Sequence, residues 1–206
     1  MVTFTVPATT NHKKSEKGQF RFAVPTSGVV LAGSRNREVP EAVCSRLVET
    51  FGSHGFSFLI GCARGADRSF RKALSGSPWE GKTLVACAFQ SRTGKQHSFG
   101  LYATKVVPDN LPPKAALHRR TVWMVKRCCM LVLFPEDPTT GTWGKGSSLA
   151  FRTAMYHVKP VFVATEKPPK KSIHYRVVPD VLFGFVSGYW VVPHPYGEGG
   201  TCDEEW

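Results

Sequence analysis

Short segments made almost entirely of apolar residues recur along the chain, and they constrain its fold more than any other feature. The clearest are GVVLA at 28–32, FSFLI at 56–60, TLVACAF at 83–89 and CMLVLF at 129–134. Between the first two, residues 40–54 space their apolar side chains by three and four, which predicts a helix with one buried face. Strands that are apolar on both sides are typical of parallel sheets covered by helices on both faces. The sequence therefore predicts an α/β fold with a doubly wound, mostly parallel sheet.

The rest of the chain extends this alternation of strands and helices. We predict further helices from Asp67 through Leu74, over 114–127 and over 147–157, and further strands over 161–164 and 189–192. Residues 90–113 are rich in Ser, Gly, Lys and Pro, and we expect a long loop there. In doubly wound sheets, ligands bind at the carboxyl ends of the strands, so the loops that follow the strands are the place to look for a site.

Charge divides the chain into a body and two ends. Its 206 residues include 27 Lys and Arg against 15 Asp and Glu, which gives a formal net charge of +12. We expect a basic arm over 1–27, a single domain over 28–195 and an acidic tail over 196–206. The positive charge favours partners that carry phosphate groups, and solubility alone is the other explanation for it.

Composition also argues against several classes of protein. No apolar run reaches the roughly 18 residues of a membrane helix, and no apolar stretch follows the first charges, so we expect neither a membrane span nor a signal peptide. The six cysteines form no CxxC motif and the seven histidines form no HExxH motif. We therefore expect reduced thiols, a cytoplasmic location, no structural metal and no bound cofactor.

Three loops after predicted strands carry the residue types of a phosphate-binding site. They are Gly33-Ser34-Arg35, the segment Gly61 to Asp67, and TTGTWGKGSS at 139–148. Glycines let a ligand approach the backbone, free N–H groups at a helix start attract anions, and Arg and Lys supply positive charge. The predicted ligand-binding residues are Gly33, Ser34, Arg35, Gly61, Ala63, Arg64, Gly65, Asp67, Arg119, Arg120, Gly141, Thr142, Lys145, Gly146 and Ser147.

Each of these segments also has an ordinary structural interpretation. The first loop could be a plain tight turn, Asp67 could only cap a helix beside a solvated Arg64, and the third loop could be simply flexible. Residues 118–120 could be a solvated basic face. Neither the glycine-rich dinucleotide fingerprint nor a Walker A motif occurs, which argues against NAD binding and ATP hydrolysis by those motifs.

The order of these motifs resembles the SLOG superfamily, which includes the Lonely-guy phosphoribohydrolases and DNA-processing protein A. The resemblance covers Val29 to Ala164 and rests on strand-GSR, strand-GCARGAD, Arg120-xxx-Met124 before a strand, and Gly141-Thr142 before a helix. The GCARGAD loop is most similar to that of the YspA type. This resemblance implies a Rossmann-like sheet, a pocket for a nucleotide or nucleotide derivative, and a homodimer or higher homo-oligomer.

One position departs from that family. The Lonely-guy motif PGGxGTxxE has a glutamate that acts with an arginine in cleavage of the N-glycosidic bond, and Lys145 stands at the corresponding position here. A lysine can hold an anion, but it cannot stabilise an oxocarbenium-like centre as a carboxylate does. Asp67 and Arg120 are the candidate catalytic residues if the protein is an enzyme, and Glu136 or Asp137 could supply another carboxylate.

Three functions are compatible with the sequence. The first is a sensor or binding module for a phosphorylated nucleotide or nucleotide-derived ligand, and the second is a nucleoside-monophosphate phosphoribohydrolase. The third is a single-stranded DNA-binding protein, which the net charge and the segments Phe20-Arg21-Phe22 and His174-Tyr175-Arg176 suggest. Packing in the core is the alternative role for those aromatic side chains.

Overall fold

An eight-stranded mixed sheet organises the protein, which is described here over residues 27–194 of a computed structural model. The strands are β1 (Gly28–Gly33), β2 (Ser57–Gly61), β3 (Thr83–Cys87), β4 (Ala103–Lys105), β5 (Met130–Phe134), β6 (Val161–Val163), β7 (Tyr175–Leu182) and β8 (Val186–Pro193). Their order across the sheet is β4-β3-β2-β1-β5-β6-β8-β7. The first six in that order pair in parallel, and β8 and β7 pair antiparallel at one edge.

The strand order reverses at β1. The chain builds outward from β1 to β4 and then returns, so that β5 pairs with the other side of β1. In the register of the central strands, Val30 lies opposite Leu59 on β2 and Leu131 on β5. This reversal leaves the carboxyl ends of β1 and β5 without a helix crossing between them, which is where such folds bind ligands.

Helices cover both faces of the sheet, as predicted. They are α1 (Glu41–Ser53), α2 (Ala66–Leu74), α3 (Lys95–Ser98), α4 (Pro113–Lys126) and α5 (Lys145–Tyr156). One buried cluster joins the sheet to α1 and α2 through Leu47 and Phe70, and a second joins it to α4 and α5 through Val125 and Ala154. The predicted α/β fold with a doubly wound, mostly parallel sheet is therefore confirmed.

The structure corrects the sequence predictions at the less regular segments. Residues 90–113, predicted to be a long loop, contain a 3-10 turn at Gln90–Arg92, α3 and β4. The last helix begins at Lys145 rather than at 147. Gly144 is its N-cap residue, so Gly146 lies within the first turn. Strand β7 was not predicted because it is a mostly exposed edge strand. It contains Pro179 and shows little alternation of buried and exposed side chains.

Several predictions fall on residues outside the described part of the chain. These are the basic arm over 1–26, the acidic tail from 196 onward and the Phe20-Arg21-Phe22 segment. The other aromatic segment is described: Tyr175 begins β7, its ring packs edge-on against Phe151 and its hydroxyl donates to the carbonyl of Lys170. Tyr175 therefore has a packing role on α5.

Candidate functional site

A cavity of about 590 Å³ opens at the carboxyl ends of β1, β2 and β5. The sheet forms its floor, the two loops after β1 and β2 form one side, and α4 and the start of α5 form the other. Of the predicted ligand-binding residues, the cavity is lined by Gly33, Ser34, Arg35, Ala63, Arg64, Asp67, Arg120, Lys145, Gly146 and Ser147. The turns that carry Arg35, Arg64 and Lys145 therefore meet at one place.

Backbone hydrogen bonds tie these three loops together. The N–H of Ser34 donates to the carbonyl of Phe134 at 2.9 Å, and the carbonyl of Ser34 accepts from the N–H of Ala66 at 3.1 Å. Gly33 lies so close to Phe134 and Ala66 that a Cβ atom would collide with both. The loop after β1 is thus clamped between the end of β5 and the start of α2.

Gly65 shows the same close approach from the second loop. Its φ is +67°, a conformation that glycine adopts without strain, and a Cβ atom there would collide with the backbone of Ser34 and Arg35. Gly65 therefore shapes the site without lining it. It turns the chain into α2 and so places Asp67 in the first helical turn, facing the cavity.

Asp67 and Arg120 form a buried ion pair inside the cavity wall. Nη1 of Arg120 lies 3.2 Å from Oδ2 of Asp67, and the same oxygen accepts from the N–H of Ala63 at 3.3 Å. Gly61 makes room for the pair, because a Cβ atom at that position would overlap both charged groups. Gly61 does not line the cavity, but the pair could not sit against β2 without it.

Arg71 stabilises the same loop from behind. Its guanidinium donates to the carbonyls of Gly61 and Ala63, the latter at 2.9 Å, and its Nε donates to the carbonyl of His97 at 3.2 Å. The side chain is 4% exposed, and burial lowers the pKa of Arg71 from its usual value. Arg71 therefore satisfies the carbonyls of Gly61 and Ala63 from within the protein and holds the loop in place.

Glu136 contributes a second carboxylate to the lining of the cavity. Asn36 donates to Oε1 of Glu136 at 2.9 Å, and the hydroxyl of Ser34 donates to Oε2 at 3.4 Å. Gly144 lies beside the same carboxylate, so Glu136 is close to the start of α5. The sequence had marked Glu136 only as one possible carboxylate, and its contact with Asn36 across 100 positions carried no sequence signal.

The start of α5 presents unsatisfied donors to the cavity. Its cap residue, Gly144, has no side chain to receive the first N–H groups, and the first turn carries no acidic residue. Among residues 27–194, the hydroxyl of Ser147 and the Nε of Arg120 are buried and have no hydrogen-bond partner. Unpartnered buried polar atoms are costly, and both residues belong to the lining of the cavity.

Three other predicted residues lie outside the cavity. Arg119 is exposed on the outer side of α4, while Gly141 and Thr142 belong to the turn before α5. The carbonyl of Thr142 accepts from the N–H of Glu136 at 3.0 Å, so this turn holds the loop after β5 in place.

Apart from Arg120, the residues of α4 that line the cavity were not predicted from the sequence. That face contributes Lys114, Leu117, His118, Thr121, Met124 and Val125 in addition to Arg120. These positions follow the three-and-four spacing of a helix face, and that spacing, extended from Arg120, is the signal that could have identified them. Of the charged side chains around the cavity, five are cationic and two are carboxylates; the cations are Arg35, Arg64, Lys114, Arg120 and Lys145.

Within residues 27–194 no group of three or more His, Cys, Asp or Glu side chains is arranged to hold a metal ion. Over the same range, no helix is both long enough and apolar enough to cross a membrane.

No protein-family model matches this chain, and no curated protein matches it. Solved structures do resemble it. One is DNA processing protein A from Helicobacter pylori, determined to describe its single-stranded DNA binding mode, with 20% sequence identity and a TM-score of 0.55 over 73% of this chain and 70% of that chain. The chain has a Rossmann-like α/β fold. Membership of the SLOG superfamily, and of its YspA type in particular, stays a prediction.

A second solved structure is similar over a comparable length. It is TM1055, a structural genomics target, with 15% identity and a TM-score of 0.47 over 66% of this chain and 72% of that chain.

Proposed function

We propose that the cavity binds the phosphate group of a nucleotide or nucleotide-derived ligand. The observation that carries this proposal is the uncapped start of α5, which lies at the cavity. Ser147 and Arg120 line the same cavity, and each has a buried polar atom with no partner among the described residues. A helix N-terminus has the polarity and the free N–H groups that a phosphate oxygen needs. Lys145, at the first position of the helix, adds a full positive charge.

The shape and lining of the cavity suit the rest of such a ligand. Its volume lies within the roughly 300–1,000 Å³ of small-molecule sites. Apolar side chains of the sheet, α4 and α5 also line it: Val30, Leu117, Met124, Leu133 and Ala150. We infer that a base packs against these side chains, with the phosphate of the ligand at α5.

The two carboxylates differ in their freedom to bind a sugar. Asp67 already accepts from Arg120 and Ala63, so its charge is neutralised within the wall. Over residues 27–194, the carboxylate of half-buried Glu136 accepts from the side chains of Ser34 and Asn36 alone, and Glu136 lines the cavity. We assign Glu136 to the hydroxyl groups of the sugar, and Asp67 to holding Arg120 in position.

Isothermal titration calorimetry with a panel of nucleoside monophosphates, nucleoside diphosphates and cyclic nucleotides tests this proposal. Lys145→Glu places a negative charge at the start of α5, so we expect it to weaken binding at least tenfold. Lys170→Glu is the matched control, since Lys170 is exposed and does not line the cavity. Absence of binding by every member of the panel, or equal effects of the two variants, would refute the proposal.

Single-stranded DNA is a second candidate ligand. Two observations support it: the solved structure of DNA processing protein A, which shares the fold, was determined for its single-stranded DNA binding mode, and this chain carries a net charge of +12. An electrophoretic mobility shift across a salt series distinguishes it from the nucleotide site. Binding to phosphates along a strand weakens steeply as salt rises, and Lys145→Glu alone would change it little.

Hydrolysis of a bound nucleotide is a third possibility, and Lys145 argues against the Lonely-guy mechanism for it. The lysine stands where that motif has its glutamate, and it lines the cavity beside the start of α5. We therefore expect no release of free base from AMP, CMP or GMP during prolonged incubation. Release of base that disappears in Glu136→Ala would instead identify Glu136 as the carboxylate of a different hydrolytic site.

A further inference from the structure

Two buried thiols lie side by side beneath the loop that carries Asp67. Strands β2 and β3 pair in parallel with Gly61 opposite Ala86, so the next residues along the two strands are Cys62 and Cys87. Neighbouring strands lie about 4.8 Å apart, within the Cα separation of about 4.4–6.8 Å that disulfides span. Both side chains belong to the same buried cluster on one face of the sheet.

The surroundings favour a thiolate on one of the two sulfurs. A hydrogen bond from Cys87 lowers the pKa of Cys62 below its usual range; burial opposes this shift, and the charge of Arg120 adds to it. The pKa of Cys87 is raised, first by its hydrogen bond to Cys62 and then by burial. The pair therefore consists of a nucleophilic sulfur beside a sulfur that keeps its proton, which is the arrangement of a thiol and its resolving partner.

The other cysteines among the described residues do not form such a pair of a thiolate and a protonated thiol. Burial raises the pKa of Cys44 and of Cys128 to about 12, so neither provides a thiolate near neutral pH. Cys129 follows Cys128 directly, and burial raises its pKa as well.

We propose that Cys62 and Cys87 are a peroxide-sensitive dithiol that closes to an intramolecular disulfide. The Cys62 thiolate attacks one oxygen of hydrogen peroxide, the O–O bond breaks, and hydroxide leaves and takes up a proton to become water. The sulfur of Cys87 then attacks the sulfenic acid on Cys62; the S–S bond forms, the S–O bond breaks, and the hydroxyl leaves as a second water with the Cys87 proton. One peroxide is reduced by two electrons as the two thiols are oxidised.

The position of Cys62, one residue from the cavity lining, gives the disulfide a consequence. Cys62 is 6% exposed, and the next residue, Ala63, lines the cavity. Ala63 also donates to Asp67 and accepts from Arg71. A bond from Cys62 to β3 therefore acts on the loop at 61–67 whatever ligand the cavity binds, and the proposal does not rest on the proposed function.

Peptide mapping of the full chain tests the proposal directly. After treatment with one equivalent of hydrogen peroxide and alkylation of the remaining thiols, trypsin releases residues 47–64 and residues 83–92, and each of these peptides contains a single cysteine. We expect the two peptides to be linked, with a mass two hydrogen atoms below their sum. Circular dichroism before digestion shows that the protein stays folded during oxidation.

Single variants separate the two roles. In Cys87→Ser, the link is lost and the sulfenic acid on Cys62 becomes trappable by dimedone, whereas Cys44→Ser leaves the link intact. If Cys87→Ser does not fold, the wild-type map alone decides the outcome. Recovery of both peptides fully alkylated after oxidation, or linkage of either one to a different cysteine, would overturn the proposal.

Discussion

Nη1 of Arg120 lies 3.2 Å from Oδ2 of Asp67, and the two side chains are 6% and 7% exposed. The pair joins α4 to the first turn of α2 across the end of β2, and it fixes the guanidinium whose Nε remains unpartnered at the cavity wall. Asp67 therefore acts on the site through Arg120. Each buried charge is stabilised by the other, so removal of either side chain leaves an unpaired charge in the protein interior.

The first prediction concerns this pair. Asp67→Ala or Arg120→Met alone leaves one buried charge without a partner, and we expect each to lower the free energy of unfolding by about 3 kcal/mol. The double variant leaves no unpaired charge and should be more stable than the sum of the two losses predicts. Urea denaturation of the four proteins measures the coupling, and additive losses would show that the pair does not act as a unit.

The second prediction concerns the space that Gly61 provides. A Cβ atom there overlaps both Arg120 and Asp67, so Gly61→Ala should displace the pair and lower the free energy of unfolding by about 1–3 kcal/mol. Gly81→Ala is the matched control, because a Cβ atom at Gly81 meets nothing within 4 Å. A thermal or urea melt compares them, and equal stability of the two variants would contradict the packing argument.

The third prediction concerns the assignment of Glu136 to a sugar hydroxyl. A hydrogen bond to a charged group contributes about 1.5 kcal/mol, so Glu136→Ala should weaken binding of a ribonucleotide about tenfold. Inorganic pyrophosphate has no sugar, and removal of a negative charge near α5 should leave its affinity unchanged or improve it. Calorimetry with both ligands gives the answer; parallel weakening of the two would show that Glu136 only supports the loop.

The fourth prediction concerns pH. The hydroxyls of Thr139 and Thr140 and the N–H of Thr139 donate to Asp137 and lower the pKa of its carboxyl group to about 2. Because the folded pKa lies below the ordinary value of 3.8, these hydrogen bonds stabilise the turn above that pH and are lost as the pH falls toward 2. An NMR titration of the Asp137 side chain measures this. Thr139→Val should raise the pKa toward 3.8, and Thr153→Val, on α5, should not change it.

The central strands were predictable because both of their faces are buried. β1, β2, β3 and β5 read as continuous apolar runs, and the structure places them within a residue or two of the predicted bounds. The antiparallel edge was not predictable in the same way, because β7 is mostly exposed and includes a proline. A local pattern of apolar residues identifies a strand only where the strand is buried and its side chains must be apolar.

The loops of the candidate site could be predicted from the sequence, but the contacts between residues of different loops could not. Glycines and basic residues after strands marked the loops that carry Arg35, Arg64 and Lys145, and all three line the cavity. The partner of Asp67 lies 53 positions away and the partner of Asn36 lies 100 positions away, and no spacing rule links such residues. Only the folded sheet shows which charges neutralise one another and which stay available.

The uncapped start of α5 has a practical consequence for anyone who handles this protein. Any anion that settles there binds the folded chain and not the unfolded one, so it raises the melting temperature by mass action. If phosphate binds at α5 as we propose, the melting temperature in phosphate buffer will be higher than in a zwitterionic buffer. Solution work on this chain should therefore begin with the anion content of the medium as a controlled variable.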